Sequence, residues 1–585
     1  MAFVLQSGQP VADYPLGSLF VEVFVLAWVF SFLPGGMRRA VQGMVCTVCA
    51  VVCAVDVYVT YRLGSGLTPT MLQLVLETDA EEMSDFCNSY LRDAAVLRAF
   101  GPFLLWGTIY IAYVRSRHAL SVSWMKFCRL SAPWRVVLRV VYTLTVWGVF
   151  VVLFCRTAED RRHTRELLSQ TTTAGMERYY NKGYGRGLYS PLHRLYFAVY
   201  ANRLAAGQLE HLRTRMGTTN VECGEDGIPT LVVIIGESYN RHHSALYGYS
   251  LPTTPRQCAR VRNGELFPFT DVVSCWNLTS NVFKYMFSLY GYGHKGTWCD
   301  EPLFPALFRK AGYRVAFLTN QFVRRPDDNA FDFSGGYFIN DSRLSNSLFD
   351  VRNERKHPFD EDLLLDYDSL CADSLYSRRL VMFHLIGQHV GYENRCPDER
   401  KRFMLADYER PDLTDDQLQK VVDYDNATLY NDSVVDAVLR RFEADDALVL
   451  YVPDHGEEVY DGLKTFGRLH SSALTPRMVH NEFEIPFWIW CSPVCRRNRP
   501  ELVHQIMEAV DRPFMTDDLP HTLLYLADIR CPEYDERRAV ISPQFDMGRR
   551  RLLKGYKDYD EMRAREKAGR EEKKNSRECG GRSRR

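Results

Sequence analysis

Leu231-Val-Val-Ile-Ile-Gly-Glu-Ser-Tyr-Asn240 runs directly into Arg241-His-His-Ser-Ala-Leu-Tyr-Gly-Tyr249. Five consecutive apolar, mostly β-branched residues ending in Gly-Glu-Ser read as a parallel strand buried on both faces. The strand stops at a carboxylate. In open α/β sheets ligands bind in the crevice beyond the carboxyl ends of the strands, so Glu237 stands where a metal or a phosphate would sit.

The 585-residue chain is too long for a single core. Its 72 Lys and Arg balance 72 Asp and Glu, which removes any global electrostatic case for nucleic acid as a partner. Apolar residues crowd into residues 1–155, where four runs approach or reach the roughly 20 residues a helix needs to cross a bilayer: Leu16 to Leu33, Val41 to Tyr61, Ala94 to Val114 and Val136 to Cys155. Glu22, Asp56, Arg98 and Arg139 lie inside these runs, and ionisable groups at that depth are expected to be paired or functional, the two arginines being near enough to the ends to snorkel. The loops carrying Arg38 and Arg39, and Arg115, Arg117, Lys126, Arg129 and Arg135, face the cytoplasm by the positive-inside rule. Everything after Cys155 is then outside. Residues 156–228 read as a connector with amphipathic helices, Ser190 to Leu212 among them. Residues 229–545 form an outer domain, and the charged residues 546–585 a disordered or frayed tail.

Within 229–545, apolar runs alternate with helical stretches: Leu231 to Ile235, Tyr313 to Leu318, Leu380 to Ile386, Ala447 to Val452 and Ile485 to Trp490. That alternation predicts a mainly parallel sheet sandwiched by helices. The first run ends at Glu237, the third leads into His384-Leu-Ile-Gly387-Gln-His389, and the fourth into Pro453-Asp454-His455-Gly456-Glu457. Carboxylates and an imidazole on one rim make a donor set suited to zinc at about 2.0 to 2.2 Å, with one coordination position open. The segment Ser274-Cys-Trp-Asn-Leu-Thr279-Ser-Asn-Val-Phe-Lys-Tyr285 supplies a hydroxyl for that position. Next to zinc, threonine becomes a usable nucleophile.

Gly236-Glu237-Ser238-x-Asn240-Arg241-x-His243-x-x-Leu246-Tyr247-Gly248-Tyr249 with Thr253-Thr254-Pro255 resembles the opening motif of the bacterial phosphoethanolamine transferases, inner-membrane enzymes of the alkaline phosphatase superfamily. Residues 274–288 resemble their nucleophile motif, Asp454-His455-Gly456-Glu457 their second metal motif, and His384-x-x-Gly387-x-His389 their phosphate-site motif. The resemblance implies a soluble alkaline-phosphatase-like α/β domain behind an N-terminal transmembrane helical bundle. It implies Zn2+ held by Glu237, Thr279, Asp454 and His455, with Thr279 as nucleophile and His389 on the transferred phosphoryl group. A further histidine follows the second metal motif in that family, a place for which His470 and His480 compete. Thr78, Glu82 and Asn240 are the implied substrate-binding residues. The family's disulfide across the nucleophile helix cannot close, because Tyr285 stands where its second cysteine would be. Cys275 with Cys299 is a substitute pair. Ten of the 16 cysteines lie after the fourth run, in a compartment that permits disulfides.

The expected activity is transfer of phosphoethanolamine from phosphatidylethanolamine to lipid A or lipopolysaccharide core, by a monomer in the bacterial inner membrane with its catalytic domain in the periplasm. A phosphoglycerol transferase of the lipoteichoic acid type and a non-catalytic membrane scaffold are the alternatives. A sulfatase needs a modifiable residue in a Cys/Ser-x-Pro-x-Arg setting, which Ser274 to Leu278 lacks.

Overall fold

The computed structural model describes residues 15–63, scattered positions between 101 and 112, 132–171, 179, 190–321, 337–340, 342–371, 377–469 and 473–568. The chain forms two compact units, one of Met1–Ala205 with Leu469–Ala473 and one of Ala206–Arg468 with Leu474–Arg585. The division falls inside one continuous helix rather than at 155 and 228.

The first unit is helical: α1 (Pro15–Ser31), α2 (Gly35–Leu63), α3 (Ala132–Arg156), α4 (Ala158–Leu168) and the start of α5 (Pro191–Thr218). Gly35–Asp56 and Val136–Arg156 are long and apolar enough to cross a membrane, and Leu16–Ser31 is a shorter apolar helix. Phe24 of α1 stacks on Phe150 of α3 with ring centroids 4.4 Å apart. The remaining apolar surface of α3 points outward, with Tyr142 and Leu144 largely exposed, as a helix solvated by lipid requires. Both acidic residues inside the described runs have partners, as their cost predicts: Glu22 lies 3.3 Å from His193, and Asp56 pairs with Arg194. The third run, Ala94 to Val114, falls almost entirely outside the described residues, as do Thr78 and Glu82.

The second unit is built on a seven-stranded sheet. Its strands are β1 (Thr230–Gly236), β2 (Leu266–Phe269), β3 (Arg314–Thr319), β4 (Val351–Arg352), β5 (Arg379–His384), β6 (Ala447–Pro453) and β7 (Phe487–Cys491), in the spatial order β2-β7-β6-β1-β5-β3-β4. β1 lies at the centre, parallel to β5 and β6. All of its residues are buried, so each apolar side chain contributes about 1.5–3 kcal/mol. Val232 and Ile234 share one core with Val381, Phe383, Val449, Tyr451, Trp488 and Trp490, and with Val435, Val438 and Leu439 of a long helix described next. The fifth predicted strand differs in direction: β7 is antiparallel to β6 and pairs on its other side with β2. An apolar run records burial and carries no information on direction.

Three helices matter for the site: α6 (Thr279–Phe287), α7 (Asp415–Arg441) and α8 (Pro476–Glu482). α7 starts in a capping box in which the Thr414 N–H donates to the Gln417 side chain at 3.1 Å. The tail read as disordered is folded as far as residue 568. A hairpin of β8 (Leu552–Leu553) and β9 (Lys557–Asp558) precedes a helical turn, because its arginines find carboxylates. Arg549 pairs with Asp517 at 2.5 Å and with Asp518, while Arg551 holds Asp271 at 2.7 Å and also pairs with Asp560.

Gly456, just past β6, has no room for a side chain: a Cβ there would lie 2.2 Å from the Asn481 carbonyl oxygen. Gly456→Ala is expected to lower unfolding free energy by about 1–3 kcal/mol. Gly217→Ala, whose Cβ would meet nothing, should leave it unchanged or slightly higher. Denaturation of the two variants side by side checks the contrast.

Candidate metal centre

The register of β1 on β6 pairs Gly236 with Pro453, and the next residue on each strand is therefore a carboxylate. The Asp454 N–H donates to the Gly236 carbonyl at 3.0 Å and the Tyr239 N–H to the His455 carbonyl at 2.8 Å, which locks the two strand ends together. Between them Ser238 takes a left-handed conformation, φ 54°, a strained state for a residue with a side chain. It is held by its N–H on Asp454 Oδ1 (3.1 Å) and by the Tyr424 hydroxyl on its carbonyl (2.6 Å). The bend turns the Glu237 carboxylate toward α6. There the Thr279 hydroxyl donates to Glu237 Oε2 at 3.1 Å and lies 3.3 Å from His455 Nε2.

Glu237, Asp454 and His455 are fully buried and present their donor atoms to one point. His455 Nδ1 lies 2.8 Å from the Gly456 carbonyl, which can only accept, so the ring proton sits on Nδ1 and Nε2 carries a lone pair. Burial pushes the His455 pKa down to about 3, which keeps the ring neutral, and pushes the Asp454 carboxyl up. His455 Nε2 and Asp454 Oδ2 are 3.0 Å apart, and Oδ2 takes no hydrogen bond. The Arg468 guanidinium lies 2.7 Å from His455 Nε2, so Asp454 Oδ2 is the acceptor of this buried pair that has no partner, and a cation would satisfy it. Thr279–Glu237, Thr279–His455, His455–Glu237 and His455–Asp454 are separated by 3.1, 3.3, 3.5 and 3.0 Å, against roughly 3.3–3.6 Å between ligands of a tetrahedral zinc. These four residues fit a metal ion.

Two residues at this centre carried no signal in the reading above. Gln321, two residues beyond the end of β3, donates its amide to Glu237 Oε2 at 3.1 Å and to the Leu385 carbonyl at 2.7 Å; a neutral amide at a strand end does not stand out in the sequence as an acid or imidazole does. Arg468 returns along a short ladder in which Gly467 pairs with Glu458. Its guanidinium lies 2.7 Å from His455 Nε2, 3.8 Å from Glu237 and 3.6 Å from Glu457. Glu457, whose pKa burial pushes up to about 7, accepts from the Tyr392 hydroxyl at 2.6 Å.

The other predicted residues separate. His389 sits beyond β5, its Nδ1 buried and without a hydrogen-bond partner, and burial pushes its pKa down to about 3 against the pull of Glu237. Asn240 is fully buried: its side-chain oxygen accepts from the His242 N–H and its amide donates to the Glu457 carbonyl at 2.9 Å. His480 also leaves the centre. It lies on α8 with its ring stacked on His242, and its Nδ1 is 3.2 Å from Glu484. His470 lies outside the described residues.

The start of α6 is secured without the disulfide that the resemblance implies for it. Cys275 and Cys299 are both buried free thiols, so the substitute pair does not form. The Trp276 ring instead lies parallel to Tyr285, at 6.5 Å and 3°, within the range of aromatic stacking. The Asn277 amide donates to Glu482 at 2.6 Å, and the Cys275 N–H to the Thr516 hydroxyl at 3.0 Å.

The sequence model of the sulfatase family matches residues 229–529. A phosphoethanolamine transferase, EptC, of Escherichia coli O18:K1:H7 (strain RS218 / NMEC) is 26% identical over 534 residues, which span 86% of this chain and 83% of that protein. The crystal structure of the C-terminal periplasmic domain of Escherichia coli EptC in complex with Zn is 28% identical, with a TM-score of 0.51 over 58% of this chain and 96% of that one. The integral membrane protein lipooligosaccharide phosphoethanolamine transferase A of Neisseria meningitidis shares the fold, at 19% identity and a TM-score of 0.54 over 89% of each chain.

The loop after Glu237 is anchored by His243, whose Nδ1 lies 2.6 Å from Asp425 and Nε2 2.8 Å from Asp461. Burial opposes the charge, but the two carboxylates outweigh it and raise the pKa to about 10. A raised folded-state pKa gives stability that is complete below the unfolded value near 6.5 and is lost as pH rises through about 10. The melting-temperature gap between the parent protein and His243→Gln should therefore close between pH 6.5 and 10. A gap that stays constant would show that His243 is not held as an imidazolium.

Proposed function

The chain belongs to the sulfatase family, and on that premise we propose that it is a membrane-bound, zinc-dependent phosphoethanolamine transferase acting on lipid A or lipopolysaccharide core. The observation that carries this reading is the Thr279 hydroxyl at the first residue of α6, 3.1 Å from Glu237 and 3.3 Å from His455. The segment Ser274 to Leu278 that leads to Thr279 has no Cys/Ser-x-Pro-x-Arg pattern, which a sulfatase needs. The resemblance to transferases in sequence and in the periplasmic domain supports the same choice.

Glu237, Asp454 and His455 would hold the zinc. When bound, it lowers the pKa of the threonine hydroxyl and offsets charge on the phosphoryl oxygens. Thr279, oriented by its hydrogen bond to Glu237, attacks the phosphorus of phosphatidylethanolamine: the Oγ–P bond forms, the bond from phosphorus to the glycerol oxygen breaks, and diacylglycerol leaves with a proton. In a second displacement an acceptor phosphate or sugar hydroxyl attacks the same phosphorus, and Thr279 regains its proton. The positive end of α6 and the Arg468 guanidinium favour the negative charge shared by both transition states, and His389 Nδ1 hydrogen-bonds a phosphoryl oxygen. The apolar helices of the first unit belong to a multi-pass inner-membrane anchor, with the catalytic unit in the periplasm beside both lipids.

Thr279→Ala is expected to reduce transfer of the labelled phosphatidylethanolamine head group by on the order of 10³-fold or more while the protein stays folded. Glu237→Ala is expected to lose activity together with the zinc of this site. Labelled phosphatidylglycerol should not be turned over. A Thr279→Ala protein that still modified lipopolysaccharide would remove the nucleophile from the scheme.

A further inference from the structure

We propose that Lys554, in the turn of the β8–β9 hairpin, is a positioning residue for the nucleophile: it fixes residues 275–277 and through them the Thr279 hydroxyl. Its role rests on the reading of Thr279 as the attacking group. The hairpin lies outside residues 229–529, which the sulfatase family model matches. The Lys554 N–H donates to the Cys275 carbonyl at 2.9 Å. Its ammonium, on a buried side chain, lies 5.7 Å from the centre of the Trp276 ring and 5.8 Å from that of Phe483, within reach of both ring faces.

A buried ammonium needs a compensating charge. Glu482, fully buried at the end of α8, supplies it: burial pushes the Lys554 pKa down to about 8 against the pull of that carboxylate. Glu482 Oε2 in turn accepts from the Asn277 amide at 2.6 Å, and Asn277 stands two residues before Thr279. Ammonium, carboxylate and amide therefore form one chain of contacts that ends on the nucleophile segment. The backbone of the turn is strained to make it. Lys554 holds a left-handed conformation, φ 53°, a state a residue with a side chain keeps only where its surroundings impose it. Gly555 beside it, at φ 76°, lies so close to Tyr292 that a Cβ would come within 2.6 Å of the ring. Tyr292 packs on Tyr285 of α6 with ring centroids 4.3 Å apart, so the turn grips α6 itself as well as the segment before it. The rival is a hairpin that only adds stability to the domain. A displacement of about 1 Å at a reacting group can cost roughly 100-fold in rate, and that sensitivity separates the two.

The test is turnover of labelled phosphatidylethanolamine by the detergent-solubilised full chain, with zinc content and amide hydrogen exchange measured on the same preparations. Lys554→Met keeps the apolar stem and removes the charge. It is expected to lower kcat about 10- to 100-fold, to leave KM within about twofold and zinc content unchanged, and to speed exchange in the peptide covering residues 274–288. Asn277→Ala should give a similar loss, and the double variant little more than either alone, because both changes cut the same chain of contacts. Val438→Ala in the sheet core should lower the melting temperature without changing kcat. If Lys554→Met fails to fold because the Glu482 carboxylate is left without its cation, Lys554→Met/Glu482→Gln takes its place, with the same fall in kcat expected. Parental kcat in the Lys554 variant, losses that multiply with that of Asn277→Ala, or unchanged exchange over 274–288 would overturn the proposal. Turnover that survives Thr279→Ala would instead contradict the nucleophile reading, and the exchange result would still decide whether Lys554 fixes this segment.

Discussion

The parallel pairing of Thr230–Gly236 with Ala447–Pro453 is the constraint on which the rest depends. Its register sets Gly236 opposite Pro453, so Glu237 and the Asp454-His455 pair emerge side by side although 217 positions (454−237) separate them in the chain. A slip of one residue would reverse which face each side chain takes and scatter the donors. The slip is opposed by a strand that is buried along its whole length and by hydrogen bonds that tie the two ends together immediately beyond the sheet.

That arrangement concentrates negative charge and lone pairs where water cannot reach them, and the surroundings answer with donors. Gln321 and Arg468 approach from two further segments, and Ser238 accepts an uncommon backbone conformation to aim Glu237 at α6. The segment that opens α6 is then held by a ring stack and by hydrogen bonds, with Cys275 and Cys299 as free thiols. The basic residues after 546 belong to this same unit, because Arg549 and Arg551 balance Asp517, Asp518 and Asp271.

Much of this was legible in the sequence, and what was not follows from distance and direction. A β-branched run that ends in Gly-Glu, and a second that ends in Pro-Asp-His, place three of the donors without reference to the fold. Strand direction is another matter: Phe487–Cys491 is as apolar as its neighbours yet antiparallel to β6, since burial is indifferent to polarity. That Asn240 caps the turn at His242 is not legible either, since the resemblance implies only that it binds substrate. His480 was a reasonable claimant by spacing. Its stacking on His242 depends on where α8 packs, which spacing does not encode. Arg468 carries no sequence signal for the same reason, and the order of residues 546–568 rests on pairings such as Arg551 with Asp271 that spacing does not encode.

Peptide mass spectrometry of the full-length protein, quenched during turnover of phosphatidylethanolamine, bears most directly on the central claim that Thr279 receives the phosphoryl group at the joined strand ends. A phosphoethanolamine adduct confined to the peptide containing Thr279, and absent when Glu237→Ala is treated in the same way, is the expected result. Turnover with an adduct on another residue, or with Thr279 unmodified at every time point, would contradict the account.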